Sequence, residues 1–360
     1  MMSNTLGNKF RLTLFGESHG PYVGAVLDGL EAGIKIEIDF LNECLNKRRP
    51  SGVTDTFRVE ADNYEIISGL FNGYTTGTPL CILIKNKNTK SEDYNQYIPR
   101  PSHADYVSYI NANGYNDYRG GGHNSGRLTA PIVALGSIAI KKLESKGIKL
   151  GSHILRCGEV NDQKFHNYEK EFEIINNRKI PVISNIEVDL EKEIQKVRDN
   201  LDSIGGIIEV AIINMPIGVG EPWFNSLEGN IANAMFSIGG IKGIEFGKGF
   251  DFANGFGSTL NDEYRYVDDK VVTLSNNNGG INGGLSNGEP IIFSLVVKPT
   301  PSIAKTQKSI NLKTQENVDL NIKGRHDPAI IRRIVPVINA TLALTLVDAL
   351  IDKFGEEYFQ

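Results

Sequence analysis

The sequence is poor in cysteine. It has three, Cys44, Cys81 and Cys157, far apart and odd in number. No disulfide framework is implied, and a reducing, cytoplasmic setting fits best. Excess positive charge is also missing. A net charge of -5 and a pI near 5.8 argue against a general nucleic-acid binder, whose phosphate contacts need a basic surface. The opening MMSNTLGNKFRLTLFGESHG lacks the apolar stretch of a signal peptide. The apolar stretch around Ala130 to Ile140 is too short to cross a bilayer, so no membrane association is expected. There is no GxxxxGK[ST], no GxGxxG leading from a strand into a helix, and no metal-ligand spacing, so P-loop, Rossmann and metal readings have no support. No composition shift or low-complexity linker divides the 360 residues, and one domain spanning 1–360 is expected.

What is abundant is glycine, 38 residues, above the average share of roughly 7% and clustered between ordered-looking segments. Hydrophobic residues at 40% and charged residues at 22% describe a globular chain able to bury a sizeable core. The stretch RPSHADYVSYINANGYNDYRGGGHNSGR, from Arg100 to Arg127, combines three arginines, His103, His123 and three consecutive glycines. Cations that grip phosphate, a titratable imidazole and backbone free of Cβ atoms describe a pocket for a phosphorylated ligand. Taken alone, the stretch is equally compatible with a solvated basic loop.

Phe10 to Phe15 and Tyr22 to Leu27 read as strands, placing His19 in the Gly-flanked bend Gly16-Glu17-Ser18-His19-Gly20 between them. Asp39 to Lys47 reads as a helix with an Asp N-cap, delivering the cation cluster Lys47-Arg48-Arg49 before Pro50. Ser68 to Lys85 and Gly283 to Lys298 share one plan, a glycine-punctuated turn and then an apolar strand ending in Lys. That is a weak internal repeat. Thr129 onward gives a buried helix. Gly151 to Val160 and Gly206 to Met215 read as strands, Asp189 to Ile204 and Leu227 to Ile238 as helices. Asn276 to Gly288 reads as loop. Ala329 to Phe354 reads as a helix that Pro336 must interrupt or kink. His153 and Cys157 are not placed to share a metal, and His153 and His166 are read as structural or surface residues. The expected class is α+β. Histidine-bearing stretches at 16–20, 100–127 and 324–327, with a cation and hydroxyls in Lys298-Pro299-Thr300-Pro301-Ser302, fit two anionic ligands better than one.

GESHG at 16–20, RPSHADY at 100–106, YRGGGHNSGR at 118–127, KPTPS at 298–302 and GRHDP at 324–328 resemble the motifs of the chorismate synthase family, in its order and spacing. The resemblance implies a β-α-β sandwich, a helical layer between antiparallel sheets, in a cytoplasmic homotetramer. It implies a lyase that eliminates phosphate from 5-enolpyruvylshikimate 3-phosphate in the 1,4-anti sense to give chorismate, needing reduced FMN without net redox change. By the same resemblance His19 protonates the leaving phosphate, His103 stands beside the flavin N1, and Asp327 stands near N5. Arg48, Arg49, Ser18, Arg127 and Arg332 would hold the substrate. His123, Asn124, Ser125, Gly239, Gly240, Gly283, Lys298, Pro299, Thr300, Pro301, Ser302 and Arg325 correspond to FMN contacts. The chain departs from the family pattern at Thr54, where a second arginine is frequent and would bear on a dinucleotide such as NADP. It departs again at His123-Asn124, where Arg-Ser is frequent, and at Asn339, where glutamate is usual. Two rival readings are an NAD(P)H-dependent flavin reductase and a noncatalytic anion-binding protein.

Overall fold

The computed structural model describes residues 4–50, 62–87, 89, 91–322 and 327–360. Alternating apolar residues build a first antiparallel sheet of five strands, in spatial order Thr5–Leu6, Arg11–Gly16, Tyr22–Asp28, Leu80–Lys85 and Tyr64–Ser68. Register places Val23 opposite Ile84, Ala25 opposite Ile82 and Leu27 opposite Leu80, so one face carries a continuous buried apolar stripe. The second antiparallel sheet has the order Val160–Asn161, Lys149–Cys157, Gly206–Ile213, Ile291–Val297 and Ile241–Phe246. Its inner stripe pairs Ile208 with Leu295, Val210 with Phe293 and Ile212 with Ile291.

The two stripes face each other across a helical layer. Helix Thr129–Ser145 packs on the first sheet, helix Ile331–Phe354 packs on the second, and the two helices pack on one another. One buried apolar cluster runs through both sheets and all of this layer. The expected arrangement of helices between antiparallel sheets is therefore present. The repeat is also visible as topology. Taking the four longest strands of each sheet with the helices Ile38–Arg48, Thr129–Ser145, Leu227–Ser237 and Ile331–Phe354, each half runs strand, strand, helix, strand, strand, helix, the second half having helices Tyr168–Asn177 and Glu187–Asp199 inserted between its first two strands. In each sheet the strand that ends the repeated sequence plan, Leu80–Lys85 or Ile291–Val297, is the fourth of five.

Three local expectations change. Helix Ile38–Arg48 starts after Glu37 without a side-chain cap, and Asp39 sits in its first turn, where it opposes the positive helix end instead of capping it. Helix Ile331–Phe354 runs unbroken through Pro336, because packing on both sides holds the chain helical although one backbone donor is gone. This helix, not the Ala130–Ile140 stretch, is the segment of membrane-spanning length, and its residues are buried between the sheets. His153 is structural, as expected: fully buried, it lies 3.2 Å from Asp162 and 3.1 Å from Glu209. Burial acts against its charge, but the two carboxylates leave its pKa raised.

The two central helices touch where side chains vanish. A Cβ at Gly136 would fall 2.5 Å from Ala340 Cβ and 2.8 Å from its Cα. Gly136→Ala should therefore cost about 1–3 kcal/mol by forcing the helices apart, read from denaturant unfolding. An unchanged midpoint would show that the helices do not meet there.

Candidate active site

Both central helices begin at one cavity of about 240 Å³. Thr129 stands at the start of the first helix, and Ile330, Arg333 and Ile334 at the start of the second. Two helix N-termini aim positive dipole ends into the same space, an arrangement that favours anions. Arg48, Arg49, Arg127, Ser125, Gly239, Asp62 and Asp327 line the rest. Arg48 comes from the end of helix Ile38–Arg48, as its position before Pro50 dictates. Its Nε donates to Thr129 Oγ1 at 2.8 Å and its Nη2 to the Gly126 carbonyl at 3.0 Å. Arg127 donates from Nε to Asn86 Oδ1 at 3.0 Å. Arg48 and Arg127 are 8% and 4% exposed, against 28% for Arg49 and 21% for Arg333, so the latter two reach furthest into the open space.

The glycine run sits between the two imidazoles. Gly120, Gly121 and Gly122 have φ of 61°, 84° and 55°, a left-handed conformation that glycine adopts freely. A Cβ at Gly120 would fall 2.4 Å from His19 Cδ2, and one at Gly121 would fall 3.1 Å from His103 Cε1. Consecutive residues thus touch His19 and His103. His19 Nδ1 lies 3.0 Å from Ser91 Oγ, and its ring meets Tyr94 edge-on at 5.4 Å. Arg100 lies over that tyrosine at 5.4 Å and donates to Asp105 at 2.7 Å, and Asp105 also binds His103 Nδ1 at 2.6 Å. Burial pushes the Asp105 carboxyl up, but hydrogen bonds from Arg100 and His103 more than offset this and hold it well below the usual carboxylate range. Fixing His103 Nδ1 as the bonded nitrogen leaves Nε2 on the glycine side.

Asn86 ties the imidazole bend to the arginine cavity. Its amide donates to the carbonyls of Glu17 and Gly20, at 3.0 and 2.8 Å, while its oxygen takes the bond from Arg127. Lys298 makes a second tie, its Nζ donating to the Ser102 carbonyl at 2.7 Å and its backbone N–H to Gly240 at 2.9 Å. Asp327 faces the arginine cavity, and neither His19 nor His103 lines it. Burial drives the Asp327 carboxyl pKa up against the opposing pull of its ion pair with Arg333.

The other expected residues divide. Ser125 and Gly239 line the cavity. His123 instead donates to the Gly16 carbonyl at 2.8 Å and Asn124 to Ser108 Oγ at 2.9 Å, both bracing the loop. Gly283 sits in the two-residue turn of a hairpin and does not line the cavity. Thr300 takes a bond on its carbonyl from Ser203 at 2.7 Å, and the Pro301 carbonyl accepts from Gln307. Pro299 packs on Gly205, and Ser302 is half-buried. Arg332 lines a separate cavity of about 220 Å³ with Asn339, whose Oδ1 accepts from Ser152 at 2.5 Å. Burial and the neighbouring Arg333 lower the Arg332 pKa to about 10. Thr54 and Arg325 lie outside the described residues. Asp62, Asn86, Ser91 and Arg333 went unnoticed in the sequence, since none belongs to a motif.

Three buried polar atoms near these groups have no hydrogen-bond partner among the described residues: Ser18 Oγ, Thr300 Oγ1 and Asp327 Oδ1. Such atoms cost stability unless a ligand completes them. Together with a glycine loop that sets bare backbone against both imidazoles, they fit a polar cofactor and an anionic substrate.

An anion cavity at two helix ends, tied through Asn86 to the bend that carries His19, suits an enzyme acting on a phosphorylated small molecule. The family model for chorismate synthase matches residues 10–351. A chorismate synthase of Methanocaldococcus jannaschii is 44% identical, covering 97% of each chain, and one of Pyrococcus abyssi is 43% identical over 96% of this chain and 97% of that one. The fold matches a solved structure, "Crystal Structure of Chorismate Synthase", with a TM-score of 0.75 at 29% identity, covering 97% of this chain and 94% of that one. The chain belongs to the chorismate synthase family.

A carboxyl with a raised folded pKa adds stability only while protonated, fully below the ordinary range near 4 and less as pH climbs through the folded value. Asp327→Asn should therefore be at least as stable as wild type at pH 7, the advantage vanishing on acidification below about 4. Thermal melts across pH read this directly. A variant much less stable at pH 7 would show that the Arg333 pair outweighs burial.

Proposed function

We propose that this protein is a chorismate synthase. It converts 5-enolpyruvylshikimate 3-phosphate to chorismate and inorganic phosphate by 1,4-anti elimination. The observation that carries the reading is the convergence of His19 and His103 on consecutive glycines beside an arginine-lined cavity that holds Asp327. Arg48, Arg49, Arg127 and Arg333 would hold the phosphate and carboxylates, for which the guanidinium fork is suited.

The reaction breaks one C–H and one C–O bond and forms one C=C, so phosphate leaves with the electron pair of the C–O bond. His19 holds a proton toward the departing phosphate, general-acid work of a kind imidazoles commonly do. Asp327, buried and with one oxygen unpartnered among the described residues, takes up and passes on the ring proton. Its raised pKa matches that task better than an ordinary carboxylate would. Ser125, Gly239, Gly240, Lys298 and Thr300, together with His103, would hold reduced FMN, which when bound would supply an electron-rich ring easing phosphate departure without net oxidation. We assign the protein to the cytoplasm as a homotetramer. Exposed Trp223, Phe224, Phe250 and Phe256 support self-association.

The test is anaerobic: purified protein, dithionite-reduced FMN and 5-enolpyruvylshikimate 3-phosphate, with chorismate followed by absorbance. Wild type should release chorismate and phosphate in equal amounts. His19→Ala should bind FMN as before yet turn over about 10²–10⁴-fold more slowly. Wild type that forms no chorismate under these conditions would overturn the reading, and an unaffected His19→Ala would remove its role as acid.

A further inference from the structure

Two carboxylates line the arginine cavity, and the mechanism uses only Asp327. The other, Asp62, has a side chain 1% exposed. Its Oδ2 accepts from Arg48 Nη1 at 3.1 Å, its Oδ1 accepts from Arg127 Nη1, and Arg49 Nε stands 3.8 Å from Oδ2. Its backbone is held at φ 49°, a conformation that costs energy in a residue with a Cβ and persists where surroundings enforce it. The guanidinium groups of Arg48 and Arg127 are also pinned at other edges, by Thr129, Gly126 and Asn86. Two buried cations this close repel strongly in a low dielectric unless an anion stands between them.

We propose that Asp62 is a positioning residue, the shared counter-ion that holds Arg48 and Arg127 aligned on the cavity before substrate arrives. This rests on the reading of that cavity as the substrate site. An anion resident in the wall opposes an incoming anion, yet its two oxygens each accept from one guanidinium and so hold both cations in place at the cavity. Alignment already in place lowers the ordering cost of binding. Without Asp62 the two side chains separate, and substrate must bring them back together.

The test uses Asp62→Asn and Asp62→Glu in the full protein, with reduced FMN. Asp62→Glu keeps the charge and displaces the carboxylate by one methylene, so it decides the matter should Asp62→Asn fail to fold. In both variants KM for 5-enolpyruvylshikimate 3-phosphate should rise by about 10-fold or more, the scale of one lost hydrogen bond to a charged group. Turnover at saturation and FMN affinity should stay within about twofold of wild type, whereas a merely structural lesion would lower turnover and FMN binding together. Equilibrium binding of substrate to the enzyme with oxidised FMN should weaken in parallel. Variants that bind substrate as tightly as wild type, or more tightly, would overturn the proposal. Wild type that neither binds nor converts the substrate would instead overturn the functional reading beneath it.

Discussion

Everything in the site depends on the packing of Thr129–Ser145 against Ile331–Phe354 at Gly136 and Ala340. Because the contact has no side chain on one partner, the helices lie close enough for their first turns to share a cavity. Each helix is preceded by a long connection from the fourth strand of its sheet, residues 86–128 in one half and 298–330 in the other. The first connection brings His103, the glycine run, Ser125 and Arg127. The second brings Lys298, Thr300 and Asp327. The duplicated topology thus delivers two different sets of groups to one place, and the helix pair keeps them in register.

That arrangement is costly in isolation. Buried arginines, a desolvated carboxyl at Asp327 and oxygens on Ser18 and Thr300 that lack a partner among the described residues all oppose folding. The apolar cluster running through both sheets and the helical layer offsets them, as does satisfied polar structure elsewhere. Asp348 accepts the backbone N–H groups of Asn8, Lys9 and Phe10, fixing the N-terminal turn to the end of the second helix. Asp162 and Glu209 do the same around His153.

The motifs that were legible in the sequence are those in which one short stretch sets its own geometry. Gly16 to Gly20 had to be a bend between two strands, and Gly120 to Gly122 had to be a backbone surface free of side chains. The sheet-forming stripes and the repeat were legible for the same reason, a period carried by neighbouring residues. Asp62 was not, because a lone acid gains its meaning only when Arg48, Arg49 and Arg127 fold around it. Nor was the choice between Arg332 and Arg333. Neighbours on a helix point about 100° apart, and a helix apolar on nearly every side gives no phase by which to tell which one meets the cavity. His123 and Asn124 stand next to the glycines in sequence, yet their side chains bind Gly16 and Ser108, a consequence of how the run turns.

The central claim is that both halves of the chain close on one pair of ligands. A crystal structure of the protein with oxidised FMN and 5-enolpyruvylshikimate 3-phosphate tests it most directly. The account predicts a flavin ring lying against Gly120 and Gly121 with His103 and Asp327 in reach of it, and a substrate phosphate within reach of His19 and the arginines. Ligands held by the loops of one half alone, with His19 and Asp327 in separate sites, would contradict it.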